Sequence, residues 1–158
     1  MAVLSFKSVG EKFDGFENSP SVKPKPTPIG LITPLRIVTN QKDIFGMHYN
    51  LGDQISDNLR NLILTNHGER VGLYDFGANL RPILFDLQSD GFESEVMSRI
   101  KQAVSKYLPF VELKTFEMST NISETSEKMA ILDMIITYDV AVANIVSNRL
   151  QVVMRVGG

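Results

Sequence analysis

Apolar residues along the chain recur first with the period of an α-helix and later with the period of a β-strand. The first helical pattern begins at Asp53 and places apolar side chains on one face, at i, i+4, i+7 and i+8: Ile55, Leu59, Leu62 and Ile63. Asp53 is predicted to cap the free N–H groups of the first turn. Asn66 and Gly68 are predicted to end this helix.

A second helix is predicted to open at Asp90, which together with Glu93 forms a pattern like a capping box. Its apolar side chains share one helical face: Phe92, Val96, Ile100, Ala103, Val104 and Tyr107. Pro109 ends the helix, because proline has no N–H group and its ring blocks the preceding turn.

The rest of the chain alternates with a period of two, which is typical of strands with one buried face. Two strands have apolar residues at every second position: Leu132, Met134, Ile136, Tyr138 and Val140, then Leu150, Val152, Met154 and Val156. A preceding strand is predicted from Phe110 to Met118. Its apolar positions change from odd to even numbers, which a β-bulge near Lys114 and Thr115 explains. The polar residues 121–128 are predicted to form the turn after it.

This order of elements predicts an α+β fold, with two helices packed on one face of a small, mainly antiparallel three-stranded sheet. Short connections make a meander the simplest pairing. A chain of 158 residues forms one ordinary core, so residues 29–158 are predicted to be a single α+β domain. Residues 29–50 are predicted to be irregular extended structure that wraps onto this domain.

Residues 1–28 are predicted to be an extended, proline-rich N-terminal arm. Closely spaced prolines favour a polyproline II backbone and exclude a helix: Pro20, Pro24, Pro26 and Pro28. Aromatic residues occur among polar ones in the earlier part of the arm: Phe6, Phe13 and Phe16. Two interpretations stay open, a disordered leader and a peptide that anchors in a groove of a neighbouring protein.

Charge and composition exclude several classes of function. The formal net charge is −2, so the chain lacks the basic excess that binds phosphates, and neither nucleic acid nor a membrane is predicted as a partner. There is no cysteine, and the two histidines, His48 and His67, lie far apart in sequence, so no metal site is predicted. No signal peptide or membrane-spanning segment is evident, which favours a soluble, unsecreted protein.

Residues 68–86 contain the side chains that most resemble catalytic chemistry. Asp75-Phe76-Gly77 is also the magnesium-binding tripeptide of protein kinases, but the other kinase motifs are missing. Glu69, Asp75 and Asp86 are near enough in sequence to supply a glycosidase carboxyl pair, so a peptidoglycan hydrolase is an alternative. The chain has no Trp and four Tyr to stack on a sugar. We therefore favour a structural connector, and no catalytic or cofactor-binding residue is predicted.

The same stretch carries a resemblance to a known family. The matching residues occur in the family's order: Leu64-Thr65, Gly68-Glu69-Arg70, Asp75-Phe76-Gly77, Leu80 and Leu84-Phe85, with Pro109 after the second helix. In this pattern the chain resembles the baseplate wedge proteins of contractile-tailed phages, the sheath-initiator family also called gpW/lysozyme-like. The resemblance covers about residues 50 to 156. Many members carry Glu-Pro-Arg where this chain has Leu108-Pro109-Phe110, which keeps the proline without the two charges. An apolar contact could replace the ionic contacts of relatives here.

The resemblance implies assembly and not hydrolysis. It implies a structural subunit of the virion, located in the tail baseplate and assembled in the host cytoplasm. Its partners would be other baseplate wedge proteins, the core helical bundle of the wedge and the first ring of tail sheath protein. The equivalent baseplate component of a type VI secretion system is an alternative that shares this mechanism.

The last predicted strand is expected to meet the sheath. As the final strand of a meander it is an edge, whose unpaired backbone groups accept a strand from a partner. Its residues on the solvent face are the predicted sheath-interaction residues: Arg149, Gln151, Val153 and Arg155. Charge at Arg149 and Arg155 would discourage unwanted edge pairing in the free subunit.

Overall fold

The computed structural model describes residues 26–38, 44–86, 91–123 and 129–156. The described helices are α1 (Leu51–Leu64) and α2 (Phe92–Tyr107), with short 3-10 helices at Ile83–Asp86 and Ala141–Ala143. The strands are β1 (Gly30–Leu31), β2 (Met47–His48), β3 (Val111–Ser123), β4 (Met129–Val140) and β5 (Ile145–Val156). The α+β class is confirmed. Residues 1–25, which form most of the predicted arm, lie outside the described residues.

The three long strands form one antiparallel sheet in the order β3-β4-β5, so the predicted meander is confirmed. At the centre of the sheet, Ile136 of β4 pairs with Phe116 of β3 on one side and with Leu150 of β5 on the other. The register of β3 shifts between Leu113 and Thr115, which confirms the predicted bulge. β4 is the central strand, and β3 and β5 are the two edges.

Strand β3 is longer than predicted. It continues to Ser123, so the turn expected at residues 121–128 is wrong for its first three positions, and residues 124–128 lie outside the described residues. Asn121 and Ser123 pair with Ile131 and Met129 of β4. The backbone ladder therefore continues past Met118 through a polar stretch, Ser119 to Asn121, because hairpin hydrogen bonds do not require an apolar side chain.

The core lies between the helices and one face of the sheet. Four residues of the central strand on this face are fully buried: Met134, Ile136, Tyr138 and Val140. They pack in one cluster with the apolar stripes of the helices, which include Leu59 and Leu62 of α1 and Val96 and Ile100 of α2. The opposite face of the sheet carries polar and charged residues, such as Asp133 and Asp139, that are only partly covered. The predicted packing of both helices on one face is confirmed.

Both predicted helix caps are wrong. Helix α1 is capped by Asn50, whose Oδ1 accepts a hydrogen bond from the Gly52 N–H at 3.0 Å, and Asp53 is an exposed residue of the first turn. Helix α2 begins after Gly91, which has φ +99° and makes no side-chain cap, while Asp90 lies outside the described residues. In both helices the residue before the first turn is therefore not the acidic residue that the sequence pattern indicated.

The segment before α1 forms a small hairpin, which the sequence pattern did not predict. Strands β1 and β2 pair antiparallel, and an isolated bridge joins Ile37 to Phe45. Buried Asp57 of α1 fixes this hairpin: its Oδ2 accepts the Thr33 N–H at 2.9 Å and contacts His48 Nε2 at 2.8 Å. Burial raises the pKa of Asp57, but the hydrogen bonds from Thr33 and His48 outweigh it and hold this pKa below its ordinary value.

Candidate functional site

The connection between α1 and α2 begins with a loop, residues 65–80, that we call the glycine loop. Its chain reverses direction at two glycines with positive φ, Gly68 at +86° and Gly72 at +82°. The Gly68 N–H donates to the Tyr74 carbonyl at 2.7 Å and closes the reversal. Glycine suits both positions because other residues are strained at positive φ. The loop is thus an ordered connector, as its composition predicted.

Gly77 joins this loop to the end of α1. Its φ is +112°, and a Cβ atom at this position would lie 2.1 Å from the carbonyl oxygen of Thr65. The next two N–H groups, of Ala78 and Asn79, donate to the carbonyls of Leu62 and Thr65 at 3.0 and 3.3 Å. The loop backbone therefore satisfies carbonyls that α1 leaves free at its C-terminus.

Three side chains stack between the loop and α2. The Cζ atom of Arg70 lies 4.3 Å from the centre of the Phe76 ring. The Phe76 ring meets the Tyr107 ring edge-on, with 4.9 Å between the centroids and an interplanar angle of 62°. Such stacking holds the long Arg70 side chain in a restricted position while its guanidinium edge stays exposed.

The two described carboxyls of the loop serve local contacts. Glu69 accepts hydrogen bonds from the N–H and the side-chain amide of Asn66 at 2.8 and 2.9 Å, and the Asn66 N–H is the main reason that the pKa of Glu69 is lowered. Asp75 pairs with Lys106 of α2, which lowers the pKa of Asp75. A glycosidase general acid needs a raised pKa, and neither carboxyl has one. The side chain of Asp86 lies outside what the structure describes.

The remaining residues of the sequence motif divide between the core and the surface. Leu80 and Leu84 are buried in the core, whereas the side chain of Phe85 lies outside what the structure describes. Pro109 is exposed directly after α2. Its neighbour Leu108 is buried and Phe110 is 39% exposed, so one of the two apolar replacements joins the core and the other faces outward.

A groove of about 670 Å³ lies between the glycine loop, α1 and the end of α2; we call it the loop groove. Apolar side chains from all three elements line it: Leu62, Leu73, Phe76 and Leu108. Asn58 and Asn61 of α1 line one side, and Glu69 and Arg70 of the loop also contribute. Sequence reasoning identified Glu69, Arg70 and Phe76 as a motif but missed the groove, because its other residues are distant in sequence.

The edge strand β5 brings the four predicted sheath-interaction residues to one face. Arg149, Gln151, Val153 and Arg155 are all exposed, whereas Leu150 and Val152 between them are buried in the core, each 2% exposed. Gln151 Nε2 donates to both carboxylate oxygens of Asp133 on β4, at 3.0 and 2.8 Å. The predicted alternation along β5 is therefore present, although Gln151 already has a partner within the sheet.

Across the described residues, no group of three or more histidine or acidic side chains is arranged to hold a metal ion. Within the same part of the chain, no helix is both long and apolar enough to cross a membrane.

The family model of the baseplate wedge protein gp25 matches residues 50–144 of the chain, which is more than half of its length. The chain belongs to this family. Its match begins at Asn50, the cap of α1, and ends just before β5, so it contains both helices, the glycine loop and β3 and β4. The N-terminal hairpin and β5 lie outside the matched range.

Solved structures are similar to this baseplate wedge protein, and the first described here supports its fold. A chain of the anti-feeding prophage baseplate, determined by cryo-electron microscopy, superimposes with a TM-score of 0.57 and is 21% identical over 70% of this chain and 83% of that one. A putative tail lysozyme from Geobacter sulfurreducens has a TM-score of 0.47 and 24% identity over 67% of this chain and 89% of that one. No curated protein sequence matches the chain significantly.

Family membership confirms the resemblance seen in the sequence. It gives the protein a structural role as a wedge component of a baseplate. The glycine loop lies wholly inside the matched residues, and its contacts tie α1 to α2.

Proposed function

We propose that this baseplate wedge protein joins the core helical bundle of the wedge to the tail sheath, and that it starts sheath assembly by accepting a sheath strand at the free edge of β5. The observation that carries the proposal is the edge position of β5 in the β3-β4-β5 sheet. Only one side of its backbone pairs with β4, which leaves the groups on the other side available to a partner strand.

Strand β5 is better fixed than the opposite edge. Leu150 and Val152 anchor it in the core, and Asn148 Nδ2 donates to the buried Tyr138 hydroxyl at 2.9 Å. On β3 the corresponding inward residues, such as Phe116 and Met118, are only partly buried. A backbone template that is held in place loses less conformational freedom when a partner strand adds to it. This difference favours β5 as the accepting edge.

The same proposal gives the protein no catalytic role. The described loop carboxyls, Glu69 and Asp75, have lowered pKa values and are engaged by Asn66 and Lys106. We place the protein in the virion, at the baseplate, after assembly in the host cytoplasm. In this arrangement the helical side of the domain contacts the wedge core and the sheet contacts the first sheath ring.

A matched pair of substitutions tests the accepting edge. Asp133 of β4 lies between Ser119 on β3 and Val153 on β5, so Ser119→Lys and Val153→Lys add the same charge on opposite edges beside the same carboxylate. We expect Val153→Lys to slow sheath growth from assembled baseplates, measured by electron microscopy, and Ser119→Lys to leave it unchanged. Equal effects of the two variants, or none from Val153→Lys, would refute strand addition at β5.

Hydrogen exchange locates the contact independently. In the free protein the outer amides of residues 149–156 should exchange quickly, and they should become protected when sheath protein is added. The central strand β4 should exchange slowly in both samples and serves as the internal control. Protection confined to the helices, with both sheet edges unchanged, contradicts the proposal.

A further inference from the structure

The loop groove contains a positive charge, that of Arg70, which pairs with no carboxylate in the described part of the chain. Among the described residues, the Arg70 guanidinium contacts the Phe76 ring and no carboxylate. The other loop charges are already engaged, because Asp75 pairs with Lys106 and Glu69 accepts two hydrogen bonds from Asn66. A guanidinium that lies over an aromatic ring still has N–H groups that can pair with a planar carboxylate.

We propose that the loop groove binds an extended segment of a neighbouring baseplate protein, in which an Asp or Glu that pairs with Arg70 is flanked by apolar residues. This inference rests on the proposed assembly function and names the chemistry of a second contact, distinct from the β5 edge. Leu73, which is 43% exposed, and the half-buried Phe76 offer apolar surface to the flanking side chains. The overall charge of −2 argues against a nucleic-acid phosphate as the group that Arg70 binds.

The α1 side of the groove favours a segment with free backbone groups. Asn58 and Asn61 are three residues apart, so they lie on the same helix face. Asn58 Oδ1 accepts from Gln54 Nε2, and Asn61 Nδ2 donates to Thr33 Oγ1. These bonds leave an amide donor on Asn58 and an amide acceptor on Asn61, the pair that one peptide group of an extended chain needs. The middle of a helical partner has no such free backbone groups.

A selection experiment on the full-length protein tests this chemistry. A display library of random 12-residue peptides is selected on the wild-type protein, and the enriched peptides are then measured individually by titration. We expect the enriched peptides to share an acidic residue between apolar ones. Arg70→Gln should weaken their binding by at least about tenfold, the effect typical of a lost hydrogen bond to a charged group. Arg81→Gln, which removes a charge from a neighbouring exposed arginine, is the matched control and should weaken binding less than twofold.

Three outcomes overturn the proposal: enriched peptides without an acidic residue, equal binding to the wild type and Arg70→Gln, or equal losses in both variants. Thermal unfolding of each variant shows whether a loss of binding reflects a loss of folding, and Arg70→Lys, which keeps the charge but not the planar group, should bind at an intermediate level. Sheath growth is measured separately with Val153→Lys. The peptide experiment therefore tests the loop groove separately from strand addition at β5.

Discussion

Replacing Gly77 by alanine should destabilise the fold by about 2–4 kcal/mol, because two effects add. The backbone at Gly77 has φ +112°, and holding a non-glycine residue in such a conformation costs about 1–3 kcal/mol. The new Cβ would also lie 2.1 Å from the Thr65 oxygen, so the carbonyl must move away from the Asn79 N–H that donates to it. Losing that hydrogen bond costs about 0.5–1.5 kcal/mol.

Urea unfolding followed by circular dichroism measures this change in the free energy of unfolding, and thermal unfolding measures the accompanying fall in Tm. For a chain of 158 residues the expected fall in Tm is roughly 5–15 °C. Gly72→Ala is the matched control, because Gly72 also has positive φ, +82°, but an added Cβ would meet nothing within 4 Å. It should cost about 1–2 kcal/mol, the strain of the backbone alone. Equal losses in the two variants would show that the Thr65 contact is unimportant, and an unchanged Gly77→Ala would refute the backbone argument entirely.

Three further predictions concern the acid range, the arm and catalysis. The pKa of Asp57 is lower in the folded protein than its ordinary value of 3.8, so its stabilisation is complete above that value and is lost as the pH falls through the folded pKa. In the wild type the urea midpoint should therefore fall between about pH 5 and pH 2, and Asp57→Asn should reduce this fall. A midpoint that falls as steeply with pH in Asp57→Asn as in the wild type contradicts this. A variant beginning at Ile29 should keep its Tm but enter baseplates less efficiently; normal incorporation contradicts this. Purified protein should not clear a peptidoglycan suspension, and clearing that Glu69→Gln abolishes without unfolding would establish a hydrolase.

The parts of the fold that the sequence predicted are those with a short-range signal. The stripe of α1 and the alternation of β4 and β5 each repeat within a few residues, so the buried face follows from the sequence alone. The predicted helix caps were wrong because the apolar pattern does not mark Asn50 or Gly91: Asn50 caps α1 with its side chain, and Gly91 precedes α2 with a positive φ.

The missed features depend on residues that are distant in sequence. The β1-β2 hairpin is held through Asp57, whose contacts reach back to Thr33 and His48, and no periodic pattern predicts such pairing. The loop groove likewise combines Asn58 of α1, Arg70 of the loop and the end of α2. Charge on Arg70 was visible in the sequence, but its isolation from acidic partners became visible only in three dimensions.

The bulge in β3 determines where the chain can be shortened. Val111 and Leu113 precede the register shift at odd positions, and Phe116 and Met118 follow it at even ones, yet all four face the core cluster. Deleting Lys114 would restore strict alternation and keep all four side chains on the core face. It would also remove the exposed ion pairs that Lys114 makes with Glu112 and Asp139. Deleting Thr115 would have the same effect on the alternation, whereas a deletion at Glu112 or Glu117 would turn one set outward. Between Val111 and Met118, β3 should therefore tolerate the loss of one residue only at its bulge.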